Sequence, residues 1–200
     1  MENVAARSGK ISAEELACQA RRGSSAAFGE LVDRFGGRLL MYLRHKTGNW
    51  HDAEDLVQET FVRAYQNLER FRKAHRFSTW VFTIASRLAI SHYRKQRKVT
   101  APPEVETGNP GPPAELMQQE THQGLWKAAQ ALSANQYEVL WLKYSEGMAI
   151  KDIALIMRIT QVYVKTLLYR ARTNLAKRLQ GPTEEIKDSK VVLEQALTCS

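Results

Sequence analysis

The chain has 200 residues, a formal charge of +8 and 44% hydrophobic residues, enough for one large domain or two small ones with real cores. An isoelectric point near 9.6 points to a polyanionic partner, nucleic acid before an anionic membrane surface. No run approaches the roughly 20 apolar residues that span a bilayer. Cys18 and Cys199, without CxxC or CxxxH spacing, make no disulfide or zinc framework.

MENVAARSGK, at the start, lacks an apolar stretch that would direct export, so the expectation is a cytoplasmic protein. Ser12 with Glu15 forms a capping box ahead of a short helix that stops at Gly23. Ser24 caps a second helix, in which Phe28, Leu31, Val32, Phe35, Leu39 and Leu43 keep the helical period. Gly36 and Gly37 inside it each weaken it by roughly 1 kcal/mol against alanine. In a third helix Ala53, Leu56, Val57, Thr60, Phe61, Ala64, Tyr65 and Leu68 mark the buried face. "FSTWVFTIASRLAISHYRKQRK" (77–98) is the fourth, an apolar helix with a basic end.

Five of the six prolines fall in "APPEVETGNPGPP" (101–113), within a Lys- and Arg-free stretch from Val99 to Leu125. The expected organisation is therefore a helical domain over 1–98, a flexible linker over 99–114, a second helical domain over 115–180 and a tail over 181–200. The second domain reads as a helix around 115–131, another over 133–146, then a short helix, a turn at about 158–160 and a longer basic helix. That unit is a helix-turn-helix. In the tail, Thr183 can cap a short amphipathic helix carrying Ile186, Leu193 and Leu197. No segment reads as a strand, so the fold class is all-α.

Three constellations carry chemistry. The acidic run "DAEDLVQET" opens the third helix, with Asp52, Asp55 and Glu59 turned away from the apolar stripe. Asp52 can cap, and acids in a first turn complement the helix dipole. A metal needs ligands from more than one element, so a docking face for a basic partner suits this run better. From Arg70 to Lys98 there are nine Lys or Arg and no acid, interleaved with Phe77, Trp80, His92 and Tyr93. Rings for bases and cations for phosphates are what a single strand requires. Part of this stretch must fill the core: Trp80 is the expected core ring, Phe77 and His92 the expected contacts. In the helix-turn-helix no acid occurs between Asp152 and Glu184. Gln161, Tyr163, Lys165 and Thr166 would face base edges, and Arg170 and Arg172 the phosphates.

"DAEDLVQETFVRAY", the aromatic and basic stretch, the Pro-rich linker and "LSANQYEVLWLKYSEGMAIKDIALIMRITQVYVKTLLYRARTNLAKRL" resemble, in that order, the extracytoplasmic-function (group four) sigma factors of bacterial RNA polymerase. The resemblance covers about 24–180. It implies sigma-two and sigma-four domains; the acidic run, with all its carboxylates on one helix, makes no metal site, and no catalytic constellation or cofactor motif is expected. The implied partners are core RNA polymerase (β′ and β subunits), promoter DNA and an anti-sigma factor. It implies core contacts at Asp52, Asp55, Gln58 and Glu59, on the clamp helices of β′. Contacts to the minus-ten element fall at Arg76, Phe77, Trp80, Arg87, His92, Arg94, Lys95, Arg97 and Lys98. Contacts to the minus-thirty-five element fall at Thr160, Gln161, Tyr163, Lys165, Thr166, Tyr169, Arg170 and Arg172.

The chain departs from the family pattern at named places. Arg158 stands where glycine is usual in the turn, Val162 and Tyr163 replace a common Gly-Thr, Leu167 a common Arg, and Arg87 a common Asn. A free-standing helix-turn-helix regulator is the alternative reading, and a nuclease built on the acidic helix a weaker one.

Overall fold

A computed structural model describes residues 11–72, 75–99, 126, 129 and 131–179, and among these no strand occurs. Helix α1 (Ala13–Arg21) starts where the Ser12 hydroxyl accepts from Glu15 N–H at 3.1 Å. Helix α2 (Ser25–Thr47) starts where Ser24 accepts from Ala27 N–H at 3.2 Å, and it stops at Gly48, φ 71°. It runs unbroken through Gly36 and Gly37, because burial of Leu31, Phe35, Leu39 and Leu43 outweighs their low propensity.

Helix α3 (Trp50–Gln66) is capped by Asn49, whose side chain accepts from His51 and Asp52 N–H, so Asp52 is not the cap. A 3₁₀ turn (Leu68–Arg70) leads to α4 (Phe77–Val99), whose inner face is Phe77, Val81, Phe82, Ala85, Leu88 and Ala89. These four helices share one core.

The second unit holds α5 (Ala134–Leu140), which widens into a π turn (Trp141–Ser145), then α6 (Ile150–Met157) and α7 (Gln161–Leu179). Val139, Leu142, Met148, Ile153, Ile156, Val164, Ala171 and Leu175 form its core. Between α6 and α7, Arg158 takes the left-handed conformation, φ 57° and ψ 43°, where a glycine would be unstrained. The helix expected over 115–131 is described only at Trp126 and Ala129, both helical, and at Ala131, in a turn. The expected linker at 99–114 lies outside the described residues except for Val99, which closes α4; the tail at 181–200 lies outside them entirely.

The two units lie against each other. Tyr42 Oη donates to Glu138 Oε1 at 2.6 Å and Lys46 Nζ reaches the same oxygen at 2.7 Å. The Arg38 guanidinium pairs with Glu146, with Nε at 3.3 Å from Oε1. His45 stacks on Tyr137 with ring centroids 3.5 Å apart. Burial, and then Lys46, lower the His45 pKa to about 4; burial raises that of Tyr137 to about 12. Burial also holds the Glu146 carboxyl above its ordinary value although Arg38 opposes the shift.

Candidate nucleic-acid interface and docking surface

On α3 the period that buries Ala53, Leu56, Thr60 and Ala64 turns Asp55, Gln58 and Glu59 outward. Asp55 is exposed, with His51 Nε2 at 3.9 Å, and Glu59 accepts from Arg63 Nε at 2.6 Å. Asp52, seven residues before Glu59, lies at the edge of this face nearest α4. Its carboxylate points at α4, 3.8 Å from His92 Nε2, and its side chain retains only 22% exposure. Beside Gln58 the surface turns apolar: Val62 is 50% and Tyr65 52% exposed. Tyr65, expected in the core, instead lies over Phe28 with centroids 4.9 Å apart, because α3 ends one residue later.

Phe77 cannot touch DNA. It has no exposed surface and packs between Phe35 at 5.3 Å, Phe71 at 5.6 Å and Trp80 at 5.7 Å. Trp80, expected in the core, packs against it through Phe71 at 5.4 Å and Phe77 at 5.7 Å but is only half-buried. It begins a solvent-side stripe at helical spacing, Trp80, Ile84, Arg87, Ser91 and Arg94. Tyr93, 57% exposed, is the most accessible ring described on α4. Arg76 and Lys95 are exposed as well, whereas His92 is half-buried beside Asp52. The side chains of Arg97 and Lys98 lie outside the described residues.

In the helix-turn-helix, Thr160 Oγ1 accepts from Tyr163 N–H at 3.2 Å and so caps α7. Gln161, Tyr163, Lys165, Tyr169 and Arg170 are exposed. Thr166 is half-buried and donates its hydroxyl to Val162 O at 3.1 Å. Arg172 is half-buried too, with Nε donating to Leu168 O at 3.3 Å. A cleft of about 570 Å³ separates the units, and Lys46, Ser86, Tyr93, Arg94, Glu138 and Tyr163 line it. No group of three metal-ligating side chains occurs among the described residues.

Sequence reasoning had no view of Arg38, Tyr42, Lys46, Glu138 and Glu146 as a set. Their partners are 92 to 108 residues away, and no local spacing encodes such a pairing.

A four-helix bundle joined to a basic helix-turn-helix defines a DNA-binding class. Two family descriptions divide the chain in the same way: Sigma-70 region 2 matches residues 31–99 and Sigma-70, region 4, matches residues 122–175. The chain is similar to the ECF RNA polymerase sigma factor EcfG of Rhodopseudomonas palustris, 34% identical over 143 residues, covering 66% of this chain and 74% of that one. Its similarity to the sigma factor SigW of Bacillus subtilis is 28% identity over 175 residues, covering 81% and 94%. A solved structure of the sigma factor RpoE from Bartonella quintana, in complex with the anti-sigma factor NepR, matches with a TM-score of 0.63 at 26% identity, over 78% of this chain and 98% of that one.

The chain belongs to the extracytoplasmic-function family of RNA polymerase sigma factors. It is a factor of transcription initiation.

Proposed function

We propose that this sigma factor docks on the β′ and β subunits of core polymerase through the outward face of α3, with Asp55, Gln58 and Glu59 beside Val62 and Tyr65. The solvent stripe of α4, with Trp80, Arg87, Tyr93, Arg94 and Lys95, holds the unpaired minus-ten strand, while α7 reads the minus-thirty-five duplex. An anti-sigma factor holds the protein in check. Two relatives support that last point: RpoE was solved with NepR, and CnrH with the cytosolic domain of CnrY.

The observation that carries the reading is the separation of three chemistries onto three helices. Acidic and apolar surface lies on α3, aromatic and basic surface on α4, and basic surface on the second helix of a helix-turn-helix. Binding and unpairing account for all three, so no enzymatic activity is assigned. The protein works where polymerase and promoter meet, in the cytoplasm, and no described helix is long and apolar enough to cross a membrane.

Transcription of genomic DNA by purified core polymerase tests this. Addition of the protein should yield new, discrete start sites. Promoter binding by the protein alone, with no new starts, would instead mark a free-standing regulator.

A further inference from the structure

Val162 is 74% exposed, more than any other large hydrophobic side chain among the described residues. It sits at the second position of α7, and Tyr169, seven residues on, is 70% exposed. Positions 162, 166, 169 and 173 share one helical face, across from buried Val164, Leu168, Ala171 and Leu175. The two threonines in that row donate their hydroxyls to the helix itself, Thr166 to Val162 O at 3.1 Å and Thr173 to Tyr169 O at 3.0 Å. At Val162 the outward face therefore offers apolar surface where a duplex reader usually offers donors.

What covers that surface is set by its borders. Lys165 and Arg170 flank it in solvent, and the chain has no acid from 153 to 183, so the partner is an anion with an apolar feature. In the major groove that feature is the C5-methyl of thymine, the apolar group among the base edges presented there. Valine is suited to the contact, because its branched Cβ leaves one strongly preferred rotamer in a helix. The methyls are then held in place before DNA arrives. A glycine at this position, common in the family the chain resembles, would have no atom to offer.

We propose that Val162 selects thymine in the upstream promoter element by direct contact with its 5-methyl group. The assignment rests on α7 entering the major groove. It also fixes a register. Lys165 is one turn along, with about 5–6 Å between the Cβ atoms, and base pairs rise about 3.4 Å. The selected thymine should thus lie within about two base pairs of the position that Lys165 governs.

Holoenzyme made from the full chain and core polymerase provides the test, on a promoter recovered from genomic DNA. Each thymine of the upstream element is replaced in turn by deoxyuridine, which lacks only the methyl. At one or two adjacent positions the wild-type holoenzyme should bind about fourfold more weakly, the worth of one buried methyl. Val162→Ala, at an exposed site, should keep the helix content and melting curve of the wild type. It should bind thymine and deoxyuridine templates equally, while Lys165→Ala should retain the deoxyuridine effect. The proposal is overturned if deoxyuridine has no effect anywhere in the element, or if Val162→Ala leaves the effect intact. Weaker binding of Val162→Ala to core polymerase without DNA would assign the face to a protein partner, and overturn it too. Absence of any base preference upstream would remove the duplex-reading role of α7 altogether, a different failure from loss of the methyl effect alone.

Discussion

Phe77 is fixed from two directions. Its ring fills the space between Phe35 and Phe71, and its backbone N–H donates to Glu14 Oε1 at 3.0 Å, tying the start of α4 to α1. Phe77→Ala should therefore cost about 3–5 kcal/mol of stability, measured by denaturant unfolding. Trp80→Ala should keep the fold and polymerase binding but lose permanganate-reactive thymines at the start site, since stacking of one base is worth roughly 1–3 kcal/mol. A stable Phe77→Ala or an unfolded Trp80→Ala would reverse the two roles. The sequence could not separate these rings. Both pairs, Phe77 with Val81 and Trp80 with Ile84, fit the helical period, and the phase is decided by Phe35 on a different helix.

On α3 the inner face was legible because its apolar spacing is regular. On α7 the same spacing marks Val164, Leu168, Ala171 and Leu175, but it also points to Leu179, which is exposed, and passes over Leu167, which is buried. The edges of α3 were not. Asn49 displaces Asp52 from the cap, and the overhanging last turn brings Tyr65 out to the surface beside Phe28. Asp55 and Glu59 remain as the outward acids. Charge reversal at both, Asp55→Lys with Glu59→Lys, should slow association with core polymerase and flatten its salt dependence. Stopped-flow binding at two ionic strengths checks this. Asp52→Asn, at the α4 edge of this face beside His92, should change that association rate less than the double reversal does.

In the whole molecule, the surfaces assigned to the two promoter elements share one cleft: Tyr93 and Arg94 stand across it from Tyr163. Elements named minus-ten and minus-thirty-five are about 25 base pairs apart, about 85 Å along a duplex at 3.4 Å per pair. With the contacts proposed above, this arrangement does not span that distance, and we expect the units to part for promoter binding. Arg38 is 42% exposed but Glu146 is buried, so removing the arginine leaves a buried carboxyl without its partner. Arg38→Glu should lower energy transfer between fluorophores placed in the two units, and Arg38→Glu with Glu146→Arg should restore it. Unchanged transfer in Arg38→Glu would mean that this pair does not hold the units together.

His45 gives the same junction a pH dependence. Its pKa is lowered from an ordinary value of 6.5 to about 4, first by burial and then by Lys46. Lys46 lies on the same helix and stays when the units part, so it is the burial added by Tyr137 and its unit that makes the separated form take up a proton first. Closure is fully supported above pH 6.5 and weakens as pH falls towards 4. Lys46, Tyr137 and Glu138 surround this ring, and Glu146, shifted upward by burial, acts with the opposite sign. His45→Gln should therefore remove the loss of energy transfer between pH 6.5 and 4 and leave transfer at pH 7.5 unchanged. A wild-type pH profile in His45→Gln would place the titrating group elsewhere.

Arg158 links heat tolerance to the ion atmosphere of DNA. Holding a residue with a side chain in the left-handed region costs roughly 1–2 kcal/mol, and this one, at φ 57°, is exposed in the turn before the recognition helix. If α7 enters the groove as proposed, the fold gives up that stability for one cation at the edge of the duplex. Arg158→Gly should raise the melting temperature of the protein. The same change should release one fewer counterion on promoter binding, reducing the slope of log affinity against log salt by about 0.9. A higher melting temperature with an unaltered slope would mean that the arginine never meets a phosphate.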